Sequence, residues 1–327
     1  MAEAIRFFPQ RENQRLDAFV KAFNRASRTV HLADYVNLLA ELFELDIDPA
    51  VNDVPTAAIL AQRLFPDKQL AADHWLCGVP VNLVPDRDRL LLHMAEKQTG
   101  SPAKTFNLKV VEELLKVFDD LFSEIYVNEE FGWLFRLKQP AKIITSSVSQ
   151  VSGKNIQEFL PRGEQAKQWI AVLNEIQMIL HAADSTLFGF NALWFEGVGS
   201  IPQISSTLKI GWSGNDKLFQ TVAEFCEAEH HAKPDDFRFS MAGLQKLIVS
   251  DMSIIRALEE QSEEHLERSL QSADKQFAQM LSLLDQGRLA EINLYLLDGN
   301  RYSVGKAGKL DFLKPTKKLS LLLESGN

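Results

Sequence analysis

The sequence is poor in cysteine and has no long apolar run, and both features narrow the classes of protein it fits. Only two cysteines, Cys77 and Cys226, occur among 327 residues, too far apart for a metal-ligand spacing. We expect free thiols in a reducing compartment. No stretch approaches the roughly 18 apolar residues of a membrane-spanning helix, and the first ten residues lack the apolar core of a signal peptide. The sequence predicts a cytoplasmic protein without a membrane partner.

Positive charge is also scarce. Lysine and arginine total 35 against 44 aspartates and glutamates, so the net charge is −9, and the isoelectric point is near 5.4. Nucleic-acid-binding proteins usually present a basic face, and nucleic acid is therefore not expected as a partner. Hydrophobic residues make up 46% of the chain, which suffices for a sizeable core in a single domain spanning residues 1–327.

Apolar residues at helical spacing predict several helices. The first 70 residues are interpreted as a helical N-terminal segment, and the clearest helix of the first half is predicted over Asn107–Ile125. A further helix follows Pro161 and ends near His181. A long amphipathic helix from Leu266 is closed by Gly287.

Strand signals alternate with these helices. Trp75–Val84 and Arg89–His93 are predicted to pair across a polar turn, with Pro80 indicating an edge strand or a bulge. The remaining signals predict strands at Trp133–Leu137 and Ala192–Phe195, a hairpin of Glu291–Leu297 with Arg301–Val304, and a short extended segment at Ile143–Val148. A polar stretch, Ser213–Ser240, is a candidate linker. The alternation favours an α/β architecture, a layered sheet with helices on both faces.

Three segments, in constant order, resemble the RpfE-type regulatory proteins of bacteria. They are Trp75–Leu83 followed by Asp86–Leu90, then Leu173–His181, then Asn191–Pro202. That family is related to the cofactor-independent phosphoglycerate mutases. The resemblance therefore implies a degenerate alkaline-phosphatase-like core.

The resemblance does not extend to the metal ligands of the catalytic relatives. Those enzymes begin with an apolar strand ending in Asp-Gly, whereas this chain opens with Ala4–Pro9 and then a helix. After Gly199 it offers only His230-His231 and His265, outside the expected aspartate and histidine set. A two-metal site needs several converging ligands. We therefore expect no metal and no cofactor, and no catalytic residue is assigned.

The segment Glu196-Gly197-Val198-Gly199 is the first candidate binding element. Its glycines would let backbone N–H groups approach an anion such as phosphate. The alternative is a plain tight turn after a buried strand, since no lysine follows as in a phosphate-binding loop.

Two further sets of polar residues are candidates. Arg87 beside Asp88 could present a guanidinium to an anion, or the two could simply form a solvated turn. Asn174, Glu175 and His181 share one predicted helix and could face a cleft, or His181 could end the helix against its dipole.

These observations favour a non-catalytic regulatory or ligand-binding protein. Its cleft would combine Arg87, Glu175, His181 and the Gly197–Gly199 segment, and its partner would be an anionic small molecule or a protein. A metal-dependent phosphomutase or phosphatase with an unrecognised metal site is the first alternative. An interaction module is the second, using the acidic helix over 107–125 or the lysine-rich tail with Lys306, Lys309, Lys314, Lys317 and Lys318. The oligomeric state is not predicted.

Overall fold

A computed structural model describes most of the chain. The described residues are 16–32, 34–47, 54–66, 68, 70–95, 101–214, 216–231, 243–260, 262–296 and 298–308. The opening segment Ala4–Pro9 and the lysine-rich tail from residue 309 lie outside these ranges.

Nine helices and thirteen strands are described in this part of the chain. The helices are α1 Asp17–Arg25, α2 Tyr35–Leu42, α3 Thr56–Leu64, α4 Ser101–Val117, α5 Val148–Val151, α6 Ala166–Ala182, α7 Lys217–Phe225, α8 Ser253–Glu259 and α9 Glu263–Asp285. The strands are β1 Ser27–Val30, β2 Leu45–Asp46, β3 His74–Asp86, β4 Arg89–Met94, β5 Phe122–Asn128, β6 Gly132–Leu137, β7 Ala192–Gly199, β8 Gln203–Ile204, β9 Ile210–Gly214, β10 Glu229–His230, β11 Lys246–Ser250, β12 Glu291–Tyr295 and β13 Asn300–Gly305.

Packing divides the chain into two compact units. The first contains the described residues within 1–34, 207–223 and 227–327, and the second contains those within 35–206 and 224–226. The interpretation of residues 1–327 as one domain stays a prediction.

The second unit is built on a five-stranded sheet in which β3 is central. One edge of β3 pairs with β7. The other edge pairs first with β6 and then with β4. Every pairing of this sheet is antiparallel, including that of β5 with β6. The predicted hairpin of β3 and β4 is confirmed.

Pro80 lies where β3 changes partners along one edge. Pairing with β6 ends at Gly78 and pairing with β4 begins at Val81, while Pro80 stays in register with Leu193 on the other edge. Proline has no N–H to donate to a ladder. Between the end of the β6 pairing and the start of the β4 pairing no donor is needed on that edge of β3. The expectation of an edge strand or bulge at Pro80 is wrong, because the strand is central and the proline sits at a break in one ladder.

Helices cover both faces of this sheet. Leu76 and Phe135 pack with α4 and α6 on one face. Trp75, Cys77 and Leu134 pack with α3 on the other face. Because successive side chains of a strand point to opposite faces, β3 and β6 are apolar on both sides.

The first unit contains an antiparallel sheet in the order β1-β13-β12. Helices α1 and α9 pack on it through one apolar cluster. The rings of Phe19 and Phe277 lie 4.5 Å apart within that cluster. The predicted hairpin of β12 and β13 and the long helix before it are confirmed.

A second sheet of the first unit is parallel, in the order β10-β9-β11. Strand β9, helix α7 and strand β10 follow one another directly in the chain. The interpretation of Ser213–Ser240 as a linker is therefore wrong for its described part. The aromatic contact of Trp212 with Phe219, 5.7 Å between ring centroids, holds the helix on the strand.

Two helix predictions need correction. The helix predicted over Asn107–Ile125 is α4, which starts earlier and ends at Val117, and Phe122 and Ile125 belong to β5. Phe122 and Ile125 keep helical spacing by coincidence, because pairing with β6 decides the conformation of that segment. The first 70 residues contain α1, α2 and α3 as expected, but also β1 and β2, which pair with the distant strands β13 and β8.

The predicted mixture of helices and strands in layers is confirmed at this level, although the largest sheet is antiparallel. The alkaline-phosphatase-like core stays a prediction. In the described part of the chain, no helix is both long and apolar enough to cross a membrane.

Helix α9 offers a direct test of the packing of the first unit. Leu266 and Leu270 are buried, whereas Glu263 is exposed in the first turn. Leu266→Asp or Leu270→Asp buries a carboxylate without a partner and should cost at least about 3 kcal/mol of unfolding free energy. Glu263→Ala should stay within about 1 kcal/mol. Equal losses in urea denaturation would show that the buried face is assigned wrongly.

Candidate functional site

The glycine pair of the third family-like segment lies inside β7 and not in a turn after it. Trp75 of β3 pairs with Gly199, and Cys77 pairs with Glu196. Leu76 of β3 therefore opposes two residues of β7, Gly197 and Val198, which makes a β-bulge. Gly197 occupies it with φ of +65°, a conformation that glycine adopts without strain. The interpretation as a tight turn after the strand is wrong for this reason.

Both glycines allow the chain before α3 to approach the strand closely. A Cβ added at Gly197 would lie 1.9 Å from Oγ1 of Thr56, and one added at Gly199 would lie 2.9 Å from Cβ of Pro55. Thr56 itself is buried. At Gly197 the space beside the backbone is therefore filled by the start of α3, and the glycines serve packing there.

Glu196 supports a neighbouring loop. Its carboxylate accepts a hydrogen bond from the backbone N–H of Val148, at 2.6 Å, at the start of the short helix α5. Helix N-termini leave such N–H groups without intrahelical partners, so the bond satisfies one of them. The thiol of Cys77 across the ladder has a raised pKa, mainly because it is buried and secondarily because Glu196 is negative.

Both cysteines are free thiols, as predicted. Burial raises the pKa of Cys226 to about 12. Because the thiolate is the reactive form, neither thiol is activated as a nucleophile.

The structure does not bring Arg87 and the glycine segment together. Arg87 and Asp88 are exposed at the tip of the β3–β4 hairpin, where Arg89 donates to Asp86 at 2.7 Å. Gly199 pairs at the opposite end of β3. An extended strand of this length separates its ends by up to roughly 40 Å. The prediction that they share one concavity is wrong, whereas an anion at Arg87 alone stays a prediction.

Asn174, Glu175 and His181 do not contact the glycine segment through any hydrogen bond or ion pair in the part of the chain that the structure describes. All three are exposed on α6, whose buried face carries Trp169, Val172, Ile176 and Leu180. His181 stands in the last turn, where a positive charge complements the helix dipole. The alternative interpretation of His181 as a helix-ending residue fits this placement.

A groove of about 740 Å³ opens at the end of β3 where Gly199 of β7 pairs with Trp75. This volume is typical of sites for small organic ligands. Gly199 is the one sequence-predicted site residue among those lining it. The lining residues are Asp46, Ile47, Pro55, His74, Pro140, Ala141, Lys142, Ile143, Ile144, Gly163, Glu164, Val198, Gly199, Ser200, Ile201, Pro202 and Gln203.

One wall of the groove is held by a short network. The backbone N–H of Lys142 donates to the side-chain oxygen of Gln165 at 2.7 Å. Ile144 and Arg162 exchange two backbone hydrogen bonds. Lys142 and Glu164 form an ion pair of 2.9 Å at the mouth, both well exposed. The opposite wall follows β7 through Ser200 to Pro202 and continues into β8, which pairs with β2.

His74, at the first position of β3, supplies the groove with an imidazole. Partial burial lowers its pKa, and the nearby carboxylate of Asp73 opposes this shift in part. Arg136 holds that carboxylate through a 2.8 Å ion pair, which weakens its influence on the histidine. His74 is therefore mainly neutral near pH 7 and offers one donor and one acceptor nitrogen.

Sequence reasoning missed most of this groove. Only His74 and Ser200 carried a usable signal, because they directly adjoin the apolar segment at Trp75 and the glycine pair. No sequence signal pointed to the charged residues Asp46, Lys142 and Glu164. Contacts between segments distant in sequence bring them to the groove. Among the residues that the structure describes, no group of three or more histidines, cysteines, aspartates or glutamates could hold a metal ion.

Comparison with solved structures gives several distant likenesses, among them the following two. A cofactor-independent phosphoglycerate mutase from Thermoplasma acidophilum is similar at 12% identity and a TM-score of 0.41, covering 95% of this chain and 87% of that one. The PH0037 protein from Pyrococcus horikoshii is similar at 9% identity and a TM-score of 0.46, covering 94% and 84%. No family model and no curated protein matches. TM-scores below 0.5 do not establish a common fold, and the RpfE-type resemblance stays a prediction.

Gly197→Ala tests the contact between the bulge and α3. The alanine must adopt positive φ and also displace Thr56. Gly153 is a matched control, because its φ is +74° and nothing lies within 4 Å of an added Cβ. Gly153→Ala should cost about 1–2 kcal/mol from backbone strain. Gly197→Ala should cost about 2 kcal/mol more from overpacking. Similar losses for both in chemical denaturation would show that the contact is not tight.

His74→Gln tests the electrostatics of the groove. The folded-state pKa of His74 lies below its ordinary value of 6.5, so the unfolded chain binds the proton more tightly and stability falls as pH drops through and below 6.5. His74→Gln should reduce this loss of unfolding free energy between about pH 7.5 and 5.5. His93→Gln, at an exposed site, should leave it unchanged. An unaltered pH slope in His74→Gln would contradict the burial of the imidazole.

Proposed function

We propose that this protein is a regulatory protein that binds a small ligand without transforming it, and that the groove beside the β7 bulge is the binding site. The observation that carries the proposal is the groove itself. Its volume of about 740 Å³ lies within the range of small-ligand sites.

The composition of the lining supports binding of an organic molecule. Isoleucine, proline, valine and alanine supply most of the wall, and a few polar groups could fix orientation. These groups are the His74 imidazole, the Ser200 hydroxyl, the Gln203 amide and three charged side chains.

The backbone of the groove supports a preformed site. Prolines at positions 55, 140 and 202 restrict its walls, and the Ile144–Arg162 bridge joins two loops of one wall. When a site is already ordered, less of the interaction free energy is lost to ordering its residues on ligand binding.

The proposal that the ligand is not transformed rests on how the polar groups of the groove are arranged. A nucleophile and its base normally lie within hydrogen-bond reach. No hydrogen bond joins Ser200 to His74 among the described residues. The resemblance to RpfE-type regulatory proteins supports a regulatory use of the ligand, whereas the phosphomutase or phosphatase alternative has no observation in its favour.

A blocking substitution tests the proposed site. A library of small metabolites would be screened by ligand-observed NMR against the full chain, and each binder would be tested on Ser200→Trp. The indole fills the groove and should weaken binding at least about tenfold. Ser205→Trp is the matched control, because Ser205 is exposed in the neighbouring segment and does not line the groove.

Binders that keep their affinity in Ser200→Trp would contradict the site, and so would a screen without binders. Thermal unfolding of both variants would confirm that they are folded. Conversion of a bound compound into a product would contradict the non-catalytic part of the proposal.

A further inference from the structure

We infer that the ligand of this groove carries a positive charge, an ammonium or a guanidinium, on an apolar body. This inference deepens the proposed function and rests on it. It follows from which charges of the lining are already compensated.

Among the described residues that line the groove there is one lysine, Lys142, and it forms an ion pair with a carboxylate. Nζ of Lys142 lies 2.9 Å from Oε2 of Glu164. An anionic ligand would have to displace that carboxylate or lie beside it. No other lysine or arginine is among the lining residues that the structure describes.

Asp46 is the carboxylate of the lining whose charge no lining lysine or arginine compensates. It is exposed on β2, opposite Gln203 of β8, and has no ion pair among the described residues. With Glu164 offset by Lys142 and His74 mainly neutral, the described residues of the lining have a net charge of about −1. The groove therefore attracts a cation and repels an anion.

The apolar residues beside Asp46 determine the rest of the ligand. Ile47 follows it directly, and Ile201 and Pro202 precede its partner Gln203. A cationic group at Asp46 places the attached body against these side chains, where burying it is favourable. A fully polar cation would gain only the exposed ion pair.

The size of the effect follows from the exposure of Asp46. An ion pair of about 4 Å in water contributes about 1 kcal/mol, which corresponds to an affinity ratio of about fivefold. Because the pair is exposed, salt should reduce this ratio strongly.

The test uses two probes with the same dipeptide body, one with a charged and one with an acetylated, neutral N-terminus. Leucyl-leucine amide has a free ammonium, and its N-acetylated form is neutral with the same body. Titration calorimetry on the full chain should show about fivefold tighter binding of the amine at low salt. The ratio of the two affinities should approach one in about 1 M salt.

Two aspartate variants locate the preference. Asp46→Asn should bring the two probes to equal affinity. Asp120→Asn should keep the fivefold ratio, because Asp120 is exposed and does not line the groove. Loss of the ratio in both variants would show that the preference reflects the overall charge of the protein, and would overturn the inference.

The remaining outcomes separate the inference from the proposed function. The two probes could bind the wild type with equal affinity and both be blocked by Ser200→Trp. This result would keep the groove as the binding site and overturn the inference that its ligand is a cation. Tighter binding of the neutral probe, or no binding of either, would also overturn it. The library screen decides independently whether the groove binds ligands.

Discussion

Backbone hydrogen bonding along both edges of β3 is the constraint on which the second unit depends. A strand paired on both edges can hold partners from distant parts of the chain, and β3 joins β4, β6 and β7 in this way. Its thirteen residues are longer than any one partner, so the pairing must change along its length. Pro80 at the change of partners and the bulge opposite Leu76 are the local solutions to this requirement.

The groove follows from the way this sheet ends. The bulge turns the end of β7 toward the start of α3, and the chain continues through Ser200 to Pro202 into a two-residue strand. The antiparallel bridge of Ile144 and Arg162 builds the facing wall. His74 enters the groove because it is the first residue of β3. The site therefore occupies the place where the regular ladder stops and backbone geometry becomes irregular.

The sequence-predicted site residues illustrate how local signals mislead. Arg87 and Gly199 each follow a predicted strand, Trp75–Val84 and Ala192–Phe195, and strands of an α/β sheet that end in polar turns predict one shared edge. In an antiparallel arrangement the tip of a hairpin and the start of its first strand lie at opposite ends. Asn174, Glu175 and His181 were correctly grouped on one helical face, but periodicity does not say which polar face meets a cleft. The buried stripe through Trp169 and Ile176 was identified because apolar spacing reports directly on burial.

The sequence by itself determined the elements whose apolar pattern is local and strong: α6, α9, the β3–β4 hairpin, β6 and the β12–β13 hairpin. Each is specified by periodicity or by a turn that neighbouring residues complete. Only the tertiary structure decided the end of α4, the strands β1 and β2, the role of the glycine pair and the composition of the groove. The end of α4 depends on the pairing of β5 with β6, the next strand in the chain. The others depend on partners more than a hundred residues away, such as β13 for β1. Pairing over that distance depends on the packing of the whole unit, which no local pattern records.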